Sequence, residues 1–332
     1  MRRLLLAGFA LCAVAGAAGA AEWRVQQIDT PARVVAVETI DGKPQVNAGG
    51  LWYRLVLVDG QYKLAFNDQP AKPEQPNDAL QDSRAAVGSR DIARAWLAEP
   101  TTRYDHGILG HPVEANSLIV EGRDGKLQSV RLKDDAVFED LEPRLADLDG
   151  DGHDEVVVVK SYLKRGSALA VIALNKGKYD IVAETPPIGQ PQAWLNPAGI
   201  ADYNGDGKQD IAVVRMPHAV GALELWTWGT DRKLRKTAEM LDVSNHVAGS
   251  QVLGMSATAD FDGDGIADLA VPSFDRGKLR IVAFAPQPRE IASVELPAKV
   301  VSNLVLLGGG GAVPPAIAVG LFDGSLVVVR RD

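Results

Sequence analysis

The chain has 332 residues, with 43 acidic against 35 basic side chains, a formal charge of −8 and a single cysteine. An acidic chain with no basic stripe is a poor partner for nucleic acid, and one cysteine cannot build a disulfide framework. Hydrophobic residues make up 46% of it, as in an ordinary globular protein, and no apolar run beyond the N-terminus is long enough to form an integral membrane segment.

Residues 1–20 read as a cleavable secretory signal peptide. Arg2 and Arg3 precede the apolar stretch 4–17, and Ala18-Gly19-Ala20 places small residues at −3 and −1 before Ala21. The residues around the paired arginines are not those of a twin-arginine signal. Cys12 lies in the leader, and Leu11 before it is not the small residue of a lipoprotein cleavage site. The mature chain is therefore expected to be periplasmic or secreted, without a thiol, a disulfide or a lipid anchor. Losing Arg2 and Arg3 takes its formal charge from −8 to −10.

Further along, residues 51–59 and 61–67 alternate around Asp59-Gly60, a strong hairpin signal. The pattern then changes over 77–99. Ser89 can cap a helix in which Ile92, Ala93, Trp96 and Leu97 fall at i, i+1, i+4 and i+5, with Pro100 ending it. This predicts a short inserted helix near 89–99. His106 and His111, five residues apart without a clear third ligand, read as turn histidines and not as a zinc pair. A second hairpin is predicted over 117–130 around Asp124-Gly125.

Three acidic loops follow. Asp147, Asp149, Asp151 and Glu155 stand at positions 1, 3, 5 and 9 of the first; Asp202, Asn204, Asp206 and Asp210 in the second; Asp260, Asp262, Asp264 and Asp268 in the third. Glycine occupies position 6 in each, where the chain must turn sharply in the left-handed region. Alternate oxygen side chains on a curled loop suit calcium, a hard cation that takes six to eight oxygens. The carbonyls of His153, Lys208 and Ile266 at position 7 are expected as further ligands. An EF-hand would need glutamate at position 12, where Val158, Val213 and Val271 sit inside strand-like apolar runs. About three calcium ions are expected, which would bring the mature charge from −10 to −4.

The loops are spaced by 55 and 58 residues, a repeat period. Each is preceded by a short strand ending in Ala146, Ala201 or Ala259. After them come an apolar strand (155–160, 210–215, 268–272), an alternating strand (168–174, 222–228, 278–284) and a closing segment (179–184, 234–240, 290–296). Four strands per repeat make one propeller blade. A final hairpin over 316–329 repeats the form, with glycines 308–311 where the acidic loop would be. The predicted fold is all-β: a single β-propeller over 21–332 with six four-stranded blades, seven being the alternative. Worn blades occupy 21–140 with the helical insertion at 77–99, three calcium-loop blades occupy 141–297, and 298–332 closes the ring.

The triple Asp-x-Asp-x-Asp-Gly-x-x-Asp loop leading into an apolar strand resembles the FG-GAP repeat of integrin alpha-subunit propellers and the related bacterial VCBS repeats. The resemblance covers about 141–296. Glu155 and Asn204 depart from its usual residues while remaining oxygen ligands. The Phe-Gly and Gly-Ala-Pro halves of the FG-GAP name are not preserved, so the resemblance implies architecture and metal binding, not adhesion.

No G-x-S-x-G, His-Glu-x-x-His or mature cysteine nucleophile is present. The segments leading into successive blades carry Glu139, Trp194, Asn196, Asn245 and His246, candidates for holding a small polar ligand such as a sugar. The alternative is that Trp194 packs between blades and the others satisfy turn backbone. The function expected is a non-catalytic scaffold that binds a protein or glycan partner, set against a propeller-based glycan lyase or hydrolase. Glu139 and Asp140 are the only suggestive acid pair, and adjacent strand residues point to opposite faces. By carboxylate count the second loop, with three against four in each of the others, is expected to be the weakest site.

Overall fold

The computed structural model describes residues 22–71, 74–308 and 314–331. The leader predicted over 1–20 and most of the glycine run 308–311 lie outside them. All regular structure among the described residues is strand.

β1 (Trp23–Ile28) leaves its sequence neighbours and joins the C-terminal sheet. The first sheet is the meander β2 (Val34–Ile40), β3 (Lys43–Ala48), β4 (Leu51–Val58) and β5 (Gln61–Phe66). A nine-stranded sheet follows. One half holds β6 (Ala86–Val87), β7 (Ile92–Thr101), β8 (Glu114–Gly122) and β9 (Leu127–Arg131). The short β10 (Ala136–Phe138) bridges to the other half, β11 (Arg144–Ala146), β12 (Glu155–Tyr162), β13 (Gly166–Asn175) and β14 (Lys178–Glu184). Two more four-stranded meanders are β15 (Leu195–Ala201), β16 (Asp210–Arg215), β17 (Ala222–Trp228), β18 (Leu234–Met240), and then β19 (Ala257–Ala259), β20 (Asp268–Pro272), β21 (Lys278–Ala283), β22 (Arg289–Glu295). In the last sheet β23 (Val305–Leu307), β24 (Ala316–Gly320) and β25 (Leu326–Arg331) take β1 as their fourth strand, with Trp23 opposite Arg331 and Ile28 opposite Leu326.

The apolar runs make sense in this arrangement. Val156 and Val158 of β12 pack toward β7 and β8, while Val157 and Val159 pack toward β16. A strand sandwiched between two sheets must be apolar on both faces, so its sequence stops alternating. The pattern continues: Ala212 and Leu223 meet Leu269 and Val282, Ala270 and Ile281 meet Ile317 and Val327, and Ala318 and Val328 meet Val37 and Val46. From the β6–β9 half onward, each unit thus buries a face against the next in chain order, and the last sheet against the first, the architecture of a β-propeller. Among the described residues no such core joins the first sheet to the β6–β9 half. That junction is polar: Arg84, just before β6, stands 3.5 Å from Glu38 of β2.

The inserted helix predicted near 89–99 is not formed; the segment is β7. Trp96 faces Ile119 and Leu97 faces Leu118 across an antiparallel ladder. Ile92, Ala95, Trp96 and Leu97 are all buried. A strand covered on both faces yields apolar residues at spacings of one and four without helical turns, which is the ambiguity periodicity alone cannot resolve.

Candidate metal centre

Each acidic loop links the first and second strands of its unit: β11 to β12, β15 to β16, β19 to β20. The position 1 aspartate organises the turn. Asp147 accepts from the amides of Gly150 at 2.7 Å and Gly152 at 3.0 Å; Asp202 accepts from Gly205 and Gly207 at 2.7 and 2.8 Å, and Asp260 from Gly263 and Gly265 at 2.6 and 2.9 Å. The position 5 carboxylates of Asp151, Asp206 and Asp264 accept from the amides of His153, Lys208 and Ile266 at 2.8, 2.9 and 2.9 Å. Gly152, Gly207 and Gly265 have φ of 90°, 85° and 87°, as the sharp turn requires.

This curling gathers acid. Asp147, Asp149 and Asp151 each bring an oxygen within 4.8 Å of the others, and so do Asp260, Asp262 and Asp268. In loop 2 the Asn204 side chain accepts from the Asp206 amide at 2.9 Å and donates to Asp210 at 3.2 Å. The position 9 acids Glu155, Asp210 and Asp268 are buried. Burial, reinforced by the neighbouring loop carboxylates, pushes them up to about 7, about 6 and about 7. Asp210 Oδ2 is buried without a hydrogen-bond partner. The close carboxylates of loops 1 and 3 and the orphaned buried oxygen of loop 2 each fit a hard divalent cation.

Two features had no signal in the spacing. Position 2 of each loop is an apolar anchor: Leu148, Tyr203 and Phe261 are buried. Tyr203 meets Phe284 of the next sheet edge-on at 5.4 Å, and its hydroxyl shares a 2.6 Å hydrogen bond with Thr258; Phe261 packs on Trp23 of β1. The second feature is a pair of arginines at the carboxylates. Arg90 Nη1 pairs with Asp147 Oδ2, and Arg289 Nη2 lies 3.0 Å from Asp262 Oδ2.

The other candidates, Glu139, Trp194, Asn196, Asn245 and His246, are all buried, and they converge. Trp194 Nε1 donates to the Glu139 carbonyl at 3.2 Å, and its ring lies 4.8 Å from His246. Asn196 and Asn245 each donate to the other's backbone carbonyl, at 3.2 and 3.3 Å. His246 Nε2 donates to the Ser250 carbonyl at 2.9 Å, which leaves Nδ1 to accept from His218 Nε2 at 3.0 Å. Burial holds the His246 imidazole down to about 4. Glu139 takes His106 Nδ1 at 2.6 Å on one oxygen and the Ser161 hydroxyl on the other. Asp140 turns elsewhere, accepting from the Val159 amide at 3.0 Å and pairing with Arg144. Spacing gave no reason to place His106 and His218 in this cluster. A separate open pocket of ≈ 410 Å³ includes Glu38, Asp82, Arg84 and Glu142 in its lining.

Comparison with known proteins bears on the loops. Residues 147–213 and 202–271 match the FG-GAP-like repeat in two tandem positions. No curated protein matches the chain. Among solved structures it is similar to BBS1N in complex with ARL6DN. The crystal soaked with mercury gives 14% identity over 90% of this chain and 78% of that one, TM-score 0.41; the one soaked with lead gives 12% over 92% and 94%, TM-score 0.41. It is also similar to BamB from Moraxella catarrhalis, at 11% identity over 90% of this chain and 83% of that one, TM-score 0.38. No helix among the described residues is long and apolar enough to cross a membrane.

Proposed function

Starting from a β-propeller that carries FG-GAP-like repeats, we propose that this protein is a calcium-binding scaffold of the cell envelope that holds a protein or glycan partner. The observation that carries the reading is the shared construction of the three loops around a left-handed glycine, with carboxylates of positions 1, 3 and 5 gathered in loop 1 and of positions 1, 3 and 9 in loop 3. Asp147, Asp149, Asp151 and Glu155 would hold one ion; Asp202, Asn204, Asp206 and Asp210 a second; Asp260, Asp262, Asp264 and Asp268 a third. The carbonyls of His153, Lys208 and Ile266 would complete them. Bound calcium supplies charge neutralisation for eleven clustered carboxylates.

We count six blades, taking the nine-stranded sheet as two four-stranded units joined by β10. The leader 1–20 would route the chain to the periplasm or outside the cell. The partner reading is favoured over a glycan hydrolase because Glu139 and Asp140 engage different neighbours and do not face each other across a pocket.

Calorimetric titration of chelator-stripped mature protein should give three calcium ions per chain, and a stoichiometry of zero or one would overturn the reading. Passing the calcium-loaded protein over a glycan array and an envelope extract, with chelator-treated protein as control, should identify the partner class.

A further inference from the structure

We propose that Arg90 and Arg289 are built-in counter-cations that compete with calcium for loops 1 and 3, so that the sites fill in an order set by arginine and not by carboxylate count. The inference rests on the calcium reading above.

Arg90 lies in the turn between β6 and β7, the place where the three acidic units carry their loop. Here the connection is only residues 88–91, too short to encircle an ion, and it reaches into the neighbouring unit instead. Arg90 Nη1 pairs with Asp147 Oδ2 and lies 3.9 Å from Asp154. The turn is clamped in place: Asp91 accepts from the Asp154 amide at 2.7 Å and sits 3.2 Å from His153 Nδ1, while Arg123 Nε donates to the Arg90 carbonyl at 2.7 Å. In loop 3 Arg289, at the head of β22, contacts Asp262 at 3.0 Å and lies 3.8 Å from Asp264. The oxygens engaged belong to positions 1, 3 and 5, the ones an ion would need. Among the described residues no lysine or arginine pairs with Asp202, Asp206 or Asp210; Asp210 takes a neutral amide and the Thr227 hydroxyl.

A guanidinium on these oxygens stabilises the metal-free loop and subtracts that stabilisation from calcium binding. Arg90 and Arg289 are half-exposed, so each interaction is worth a modest factor, roughly 2- to 5-fold in affinity. The order expected from carboxylate count alone is then reversed, and loop 2 fills first.

The test compares wild type, Arg90→Gln and Arg289→Gln by calcium calorimetry and by melting in calcium and in chelator. Each variant should tighten one site by roughly 2- to 5-fold, with a lower Tm in chelator and an unchanged Tm in calcium. Unchanged or weaker affinity, or equal Tm losses in both conditions, overturns the proposal and assigns the arginines to packing alone. Arg90→Lys and Arg289→Lys, which keep the charge but lose the fork, serve where a glutamine variant does not fold. Their affinities should be tighter than wild type but by a smaller factor, and no tightening overturns the proposal. Wild type that takes up no calcium at all defeats the underlying calcium reading, a result distinct from three sites that ignore the arginines.

Discussion

Gly265 shows what a single loop residue contributes. Its φ is 87°, and a β-carbon there would meet nothing within 4 Å, so the cost of adding one is confined to the backbone. Gly265→Ala is expected to lose about 1–2 kcal/mol in urea unfolding, with an unchanged midpoint showing that the left-handed turn is not required. Glu114, at the head of β8, is a different kind of residue. It is fully buried with neither carboxylate oxygen hydrogen-bonded, and burial, followed by the charges of Glu139 and Asp140, pushes it up to about 10. The unfolded carboxyl loses its proton near 4.5 while the folded one keeps it. Its contribution is therefore complete below pH 4.5 and declines as pH rises toward 10. Glu114→Gln should flatten that decline and exceed wild type by about 1–3 kcal/mol at pH 8 while matching it more closely at pH 5. Parallel urea midpoints for the two proteins at both pH values would sink this assignment.

At the level of elements, the acidic loops are fasteners, whatever they bind. Phe261 sits between Asp260 and Asp262 and buries its ring against Trp23 in the closing sheet. Phe261→Ala should cost about 3–5 kcal/mol and also weaken calcium at loop 3, a joint loss that melting with and without calcium would reveal. If stability falls and affinity does not, the anchor and the ion are independent. The sequence made most of these elements legible. β16, β17, β18 and β20 have the predicted bounds, because the acidic loop fixes where the strand after it begins and the strands that follow keep the repeat spacing. β7 was illegible as a strand for the opposite reason: it has no loop to set its register, and burial on both faces erases period 2. Arg90 escaped notice because it lies 57 residues before Asp147, and only the packing of two sheets brings them together. The convergence of Glu139, Trp194, Asn196, Asn245 and His246 was visible as a composition bias. That they are sealed and bonded to one another was not, since burial depends on the loop 102–113, whose Ile108 carbonyl accepts from the Gly249 amide at 2.8 Å.

Across the whole molecule, the first strand completes the last sheet, so the two ends of the chain are stitched by the β1–β25 ladder. Such a closure resists opening where the ends meet. The weak place lies one position further on, where the first sheet meets the β6–β9 half through Arg84 and Glu38 in place of an apolar core. Polar pairs of this kind exchange with water at little cost, whereas interlocked aliphatic faces do not. The ring behaves as a bracelet with a welded end and a separate clasp. Thermal breathing should begin at that clasp, and backbone amides of β2 and β3 should exchange with deuterium sooner than those of β12 or β16. Uniform exchange around the ring would mean that the polar joint is as tight as the apolar ones. A clasp also decides how the circle reaches its final shape: sheets from β6 onward can stack on one another in sequence, leaving the β2–β5 sheet to swing in last as the keystone.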